Sequence, residues 1–359
     1  MKGPFVASYA GMGPFTARRR GGGVAKATFG TSEVAKVAFA TWSLGPGVTT
    51  FADVAKATFA TFNVAKVAFA TRHLDPPKPR PSALHGLAAA ASLGRVLINA
   101  VPQFQGALTE RAPELPEGCV ALAELAGHVL SAPVHHIRQT RETSPVVDGI
   151  ANRAVLTGAN RSAQLAALEA PGGPVLTIGG DCGVELIPIG VARYRFGPGL
   201  GVAWFDAHSD LNTAETSPSG AFHGMVLRSL LGEGDPEFAA NPPVEPGRVV
   251  LAGTRAFDDA ERAAVDRGLV VETADVAAGL AGADKVYVHL DLDVLDPAEF
   301  DGLNYPEPGG LTIERLVAML RGLSGFEVVG AGITECAGTE VRVLEPVLEV
   351  LGELLTGKQ

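Results

Sequence analysis

The chain has 359 residues, 47% of them apolar and 19% charged, which are globular values with room for one large core or two smaller ones. Cys119, Cys182 and Cys336 are too few and too irregularly spaced for a disulfide framework. With no uncharged apolar run of about 18 residues and no layout of a secretion signal, a cytoplasmic protein that neither crosses nor binds a membrane is expected.

In chain order, residues 1–80 come first and differ in kind from the rest. They carry eleven Lys/Arg against three Asp/Glu, whereas the remainder carries eighteen against thirty-six. Units beginning at Val24, Val34, Val54 and Val64 repeat a Val-Ala-Lys start and a Phe-Ala-Thr or Phe-Gly-Thr end. Two thirty-residue copies fall short of the three or so that a solenoid needs, and the basic charge invites comparison with a nucleic-acid-binding tail. Val-Ala-Lys and Phe-Ala-Thr can be encoded by near-reverse-complementary DNA, so 1–80 is taken as a low-complexity, disordered or mis-annotated start, and no nucleic-acid partner is expected. Four prolines at 76–81 read as a linker, which extends over 81–94. A regular domain then occupies 95–359.

Within that domain, short apolar runs at 95–100, 134–137, 175–178, 200–205, 249–252, 269–271, 285–290 and 326–333 predict eight strands. Amphipathic segments such as 160–169, 223–231, 258–267, 313–320 and 340–355 predict helices between them. Alternation of the two implies a parallel α/β sheet covered on both faces, and near-continuous apolar runs fit strands buried on both sides.

Chemistry gathers at the strand ends. Asp206, His208 and Asp210 alternate just after the run at 200–205, so on extended backbone two carboxylates and an imidazole point one way. Asp291 and Asp293 alternate in the same manner after 285–290. Either cluster alone can cap helices or bind loop amides, but facing one another their carboxylates would repel strongly, so the pair argues for two divalent cations. Both sit at strand C-termini, where open α/β sheets place ligands. A third motif, Gly-Gly-Asp-Cys at 179–182, follows the run at 175–178. Its Cys182 is either a small buried hydrophobe or a ligand at the same edge, and the segment is too short for a phosphate loop.

Taken in order, Gly-Gly-Asp-Cys, Asp-Ala-His-Ser-Asp, His223-Gly-Met, Asp-Leu-Asp-Val-Leu-Asp-Pro, Pro308-Gly-Gly-Leu-Thr and Glu335 resemble the ureohydrolase (arginase and agmatinase) family from about residue 95 to the C-terminus. The resemblance implies a three-layer αβα sandwich with a central eight-stranded parallel sheet and a dinuclear manganese site that serves guanidino hydrolysis to urea. It implies that Asp206 and Asp291 bridge the metals, that Asp210 completes one, and that His208 and Asp293 complete the other. The segment from Asp206 to His223 resembles arginase more than agmatinase. By that likeness Asn212, Ser217 and Ser219 contact an amino-acid carboxylate and Asp258 its α-ammonium, although Asn212 and Ser219 are also ordinary turn residues and Asp258 an ordinary helix N-cap.

Two departures stand out. Cys182 replaces the family's histidine, so the chain either offers a thiolate, which favours Zn²⁺, Ni²⁺ or Co²⁺ over Mn²⁺, or leaves one metal short. Leu303-Asn-Tyr-Pro306 replaces a small turn beside the guanidinium, and Tyr305 is larger.

The mechanism implied is attack of a metal-bridging hydroxide on the guanidinium carbon, with Glu335 holding the guanidinium. His223, whose ordinary pKa lies near neutrality, returns a proton to the leaving amine, its alternative being packing at a helix start. L-Arginine is the expected substrate. The alternatives are agmatine or a guanidino acid, or a non-catalytic ligand-binding descendant, and a homo-oligomer, trimer or hexamer, is implied.

Overall fold

A computed structural model of the chain describes residues 5–9, 12–20, 24–27, 96–168 and 173–357. The chain divides into two units, Met1–Pro79 and Arg80–Gln359. In the first, β1 (Phe5–Tyr9), β2 (Met12–Arg20) and β3 (Val24–Ala27) form an antiparallel sheet in that order. The first repeat unit opens with β3. The repeats that begin at Val34, Val54 and Val64, and the linker at 81–94, lie outside the described residues.

The second unit is built on eight parallel strands, all of those expected: β4 (Leu97–Val101), β5 (Val134–His136), β6 (Val175–Gly179), β7 (Leu200–Phe205), β8 (Val249–Ala252), β9 (Val271–Glu272), β10 (Lys285–Asp291) and β11 (Val328–Thr334). Their order is β5-β4-β6-β11-β10-β7-β8-β9. Alternate side chains separate to the two faces. Val286, Val288 and Leu290 of β10 join one core with Ala203 and Phe205, while Tyr287 joins the other with Val202 and Trp204.

Helices cover both faces. Against the first core lie α1 (Leu115–Val129), α6 (Val276–Gly279), α7 (Ile313–Arg321) and α8 (Glu345–Thr356); against the second lie α3 (Leu186–Phe196), α4 (Val226–Leu230) and α5 (Asp259–Asp266). A further helix, α2 (Arg161–Leu168), packs Ala163 and Ala167 on Val101, Ile137 and Val184. Each large apolar side chain fully buried in these layers contributes about 1.5–3 kcal/mol.

Helix ends follow local chemistry. Asp258 and Glu261 form a reciprocal capping box at α5, and the Thr312 hydroxyl accepts from the Arg315 amide at 3.1 Å at the start of α7. The helix expected over 340–355 begins at Glu345, after a 3-10 turn at Arg342–Leu344, because Pro346 suits a first helical turn but not a helix interior. The segment at 223–231 likewise opens as a single 3-10 turn, His223–Met225, before α4.

Candidate metal centre and substrate cavity

Four adjacent strands, β6, β11, β10 and β7, bring their C-terminal ends together at the middle of the sheet. β6 delivers Asp181 and Cys182, β7 delivers Asp206, His208 and Asp210, β10 delivers Asp291 and Asp293, and β11 delivers Glu335. The turn after β6 is specified closely. A Cβ at Gly180 would collide with the Gln103 carbonyl, and the Asp181 carboxylate accepts from the amides of Gly183 and Gly106, both at 2.9 Å. Burial, and then the charge of Glu335, push Asp181 up to about 6 despite those bonds.

A cavity of about 420 Å³ opens above these strand ends. It is lined by His208, Asp210, Asn212, Ser217, Ser219, His223, Asp258, Asp291, Asp293 and Glu335, ten of the twelve residues expected at the site. The other two, Cys182 and Asp206, do not line it; each is 1% exposed, beneath its floor. A second cavity of about 440 Å³ lies by Val175 and Val328, at the opposite ends of β6 and β11, and contains none of the clustered acids.

The floor is dense in carboxylates. His208 Nδ1 lies 2.9 Å from Asp293 Oδ2 and 3.6 Å from Asp206 Oδ1. Burial would lower the His208 pKa, but Asp206 and Asp293 raise it above the ordinary value. Asp291 and Asp210 are both pushed well above the carboxylate range, first by burial and next by the charges of Asp293 and Asp206 respectively, and Asp293 is pushed up to about 6. Asp210 Oδ2 and His208 Nε2 are buried with no hydrogen-bond partner.

Three groups of donors each lie within 4.8 Å of one another: Asp206, His208 and Asp293; Cys182, Asp291 and Glu335; and Cys182, Asp206 and His289. Buried acids short of positive charge, with unsatisfied donor atoms beside them, fit divalent cations. The Cys182 sulfur lies 3.0 Å from Asp291 Oδ2 and 2.9 Å from Thr334 Oγ1, so it faces the acids.

Glu335 is buried and φ +65°, and Asp210 has φ +52°, left-handed conformations that cost a non-glycine residue about 1–3 kcal/mol. Glu335 Oε1 accepts from the Cys182 amide at 2.8 Å and lies 3.2 Å from His223 Nδ1, and Oε2 accepts from Asn304 Nδ2 at 2.6 Å. Burial lowers the His223 pKa, but Glu335 and Asp181 more than offset this and raise it above the ordinary value.

At the rim, Asn212 Nδ2 donates to Asp258 Oδ2 at 2.7 Å, and the Ser217 and Ser219 hydroxyl oxygens stand 3.4 Å apart. Asp258 is thus both the N-cap of α5 and a cavity residue. Tyr305, 49% exposed, lines the same cavity with its ring edge-on to His208 at 5.0 Å between centroids.

Sequence reasoning did not select Asn304, Glu307, His289 or Glu185. Glu307 Oε1 lies 3.7 Å from His208 Nε2. His289 alone carried a visible signal, since it precedes Asp291 by two residues on the same strand.

The model of the Arginase family matches residues 126–340. An arginase of Bacillus caldovelox is 38% identical over 157 residues, which cover 38% of this chain and 52% of that protein, so the chain spans about half the length of such relatives in sequence. Among solved structures, an arginase of Bacillus subtilis superposes with a TM-score of 0.64 at 25% identity, covering 74% of this chain and 99% of that one. An Entamoeba histolytica arginase in complex with L-ornithine gives 0.64 at 23% identity, over 73% and 99%, a likeness of fold.

Proposed function

Because this chain belongs to the arginase family, we propose that it hydrolyses the guanidino group of L-arginine, converting L-arginine and water to L-ornithine and urea. One observation carries the reading: a single cavity joins the acid and imidazole cluster on its floor, Glu335 and His223 beside it, and Asn212, Ser217, Ser219 and Asp258 at its rim.

Cys182, Asp206, Asp210 and Asp291 would hold one divalent ion, and Asp206, His208, Asp291 and Asp293 the other. When bound, such ions supply the positive field that makes water a nucleophile near neutral pH. Glu335 orients the guanidinium through charge-assisted hydrogen bonds, and its own carboxylate is held in place by the Cys182 amide and by Asn304. His223, whose pKa Glu335 raises, gives a proton to the leaving amine. Asn212 and the two serines face the substrate carboxylate, and Asp258 its ammonium.

Mn²⁺ suits the oxygen and nitrogen donors around His208, and Cys182 turns its half toward Zn²⁺, Co²⁺ or Ni²⁺. The reading includes a homo-oligomer, checked by light scattering, and a cytoplasmic setting, which three free buried cysteines support. No helix among the described residues is long and apolar enough to cross a membrane.

The test is urea release from L-arginine by the purified protein with each of Mn²⁺, Ni²⁺, Co²⁺ and Zn²⁺. Release from another guanidino compound in place of arginine would favour the second reading, a relative with a reshaped pocket, to which Tyr305 in the cavity lends support.

A further inference from the structure

We propose that His289, backed by Glu185, is a nitrogen ligand of the Cys182 half of the metal centre; this rests on the dinuclear reading above. On β10, His289 and Asp291 are two residues apart and share a face. His289 Nε2 lies 3.8 Å from Cys182 Sγ and 3.9 Å from Asp206 Oδ2, and all three side chains are buried. An ion about 2.1 Å from nitrogen or oxygen and about 2.3 Å from sulfur spans donors roughly 3.5–4 Å apart, so these separations fit one coordination shell.

The imidazole is held from two sides. Its ring stacks on Trp204, the cross-strand neighbour on β7, at 3.6 Å between centroids and 24° between planes. Its other nitrogen, Nδ1, faces Glu185 Oε2 at 3.5 Å, and neither atom has a hydrogen-bond partner. Room for that carboxylate exists because the cross-strand neighbour of His289 on β11 is Gly332, where a Cβ would collide with Glu185.

A fully buried carboxylate is costly unless it is paired. Placed behind a histidine it has a purpose: it accepts the Nδ1 proton, fixes the tautomer and leaves the Nε2 lone pair directed at an ion, the usual arrangement around a metal-bound imidazole. The Cys182 half then holds sulfur, nitrogen and oxygen, a set for borderline ions such as Zn²⁺ or Co²⁺, beside a half richer in oxygen.

The test is Zn²⁺ and Co²⁺ titration of the metal-stripped full chain, by calorimetry and by the near-ultraviolet thiolate-to-cobalt absorption, with circular dichroism to monitor folding. The wild type should bind two ions. His289→Gln should weaken one of the two sites by at least about tenfold and alter the cobalt absorption, and Glu185→Gln should weaken the same site about 10–100-fold. Adding Cys182→His to His289→Gln should restore the second site, because a nitrogen donor returns from β6.

Two ions bound to His289→Gln with unchanged affinity and cobalt spectrum would overturn the ligand assignment alone. If that variant does not fold, Glu185→Gln decides, and wild-type affinity in it overturns the proposal. A wild-type chain that binds neither ion removes the dinuclear reading and this proposal together.

Discussion

The Asn212 side chain donates to the Asp258 carboxylate at 2.7 Å across the cavity rim, joining the loop after β7 to the N-cap of α5. If these residues receive the carboxylate and ammonium of an amino acid, agmatine, which lacks the carboxylate, forgoes the hydrogen bonds that Asn212 and the serines would make to it. L-Arginine should then exceed agmatine at least about tenfold in kcat/KM, a loss of about 1.4 kcal/mol. Asp258→Ala should raise KM for L-arginine. Faster turnover of agmatine, or arginine kinetics untouched in Asp258→Ala, would exclude the arginase assignment.

Cys182→His is expected to tighten Mn²⁺ binding by on the order of tenfold, about 1.4 kcal/mol, and to raise Mn²⁺-dependent hydrolysis. The sulfur already faces Asp291 at 3.0 Å, and a neutral nitrogen suits Mn²⁺ better than a thiolate. Calorimetric titration checks this, and equal affinities in the two proteins would contradict it.

Glu261 accepts from the amides of Leu211 at 3.0 Å and Asp258 at 2.9 Å, so one buried carboxylate positions the neighbours of Asp210 and both ends of the Asn212–Asp258 contact. Glu261→Ala strands the buried Leu211 amide and frees the part-buried Asp258 amide, and should cost about 1–3 kcal/mol in denaturant unfolding. A positioning role further requires that KM for L-arginine rise, and that Glu261→Gln, which keeps one acceptor oxygen, recover part of it. A stability loss with unchanged KM would leave Glu261 a purely structural residue.

Arg153 donates two hydrogen bonds to Asp235, at 2.9 and 3.0 Å. Burial opposes ionisation of Asp235, but Arg153 and the Glu237 amide outweigh it and hold the carboxyl below its usual range. A depressed folded pKa means that the contribution is fully present above the unfolded value, about 3.9, and is lost as pH falls through the folded one. Asp235→Asn should therefore cost about 1–3 kcal/mol at pH 7, and the difference from wild type should shrink on acidification below about pH 4. Urea unfolding at several pH values measures this, and a difference independent of pH would refute it.

Residues 1–80 are basic, repetitive and poor in core-forming pattern. A chain starting at Ser82 should keep the same melting transition and metal content. A large drop in melting temperature would show that the head belongs to the folded protein.

Strands were legible because burial on both faces makes them near-continuous apolar runs, as in Leu200–Phe205, where every residue is buried. The same property hid α3, whose Leu186, Ile187, Pro188 and Ile189 are consecutively buried and leave no amphipathic stripe to read. Asp206, His208, Asp210, Asp291 and Asp293 stood out as two alternating clusters after apolar runs, but the chain leaves extended geometry beyond β7 and after Asp291: Asp210 has φ +52° and Leu292–Val294 is a 3-10 turn, so turns and not strand alternation aim these side chains.

Local periodicity made the eight strands readable, alternation with helical segments their parallel α/β class, and composition the two acidic ends. What stands against them follows from the order of strands in the sheet. The strand order sets β10 between β7 and β11, so His289 meets Trp204, Gly332 and Glu185 from three other segments. It also sets Glu335 beside His223, which raises an imidazole that in isolation titrates near neutrality. Such effects depend on distance and burial between residues far apart in the chain, and no spacing along the sequence encodes them.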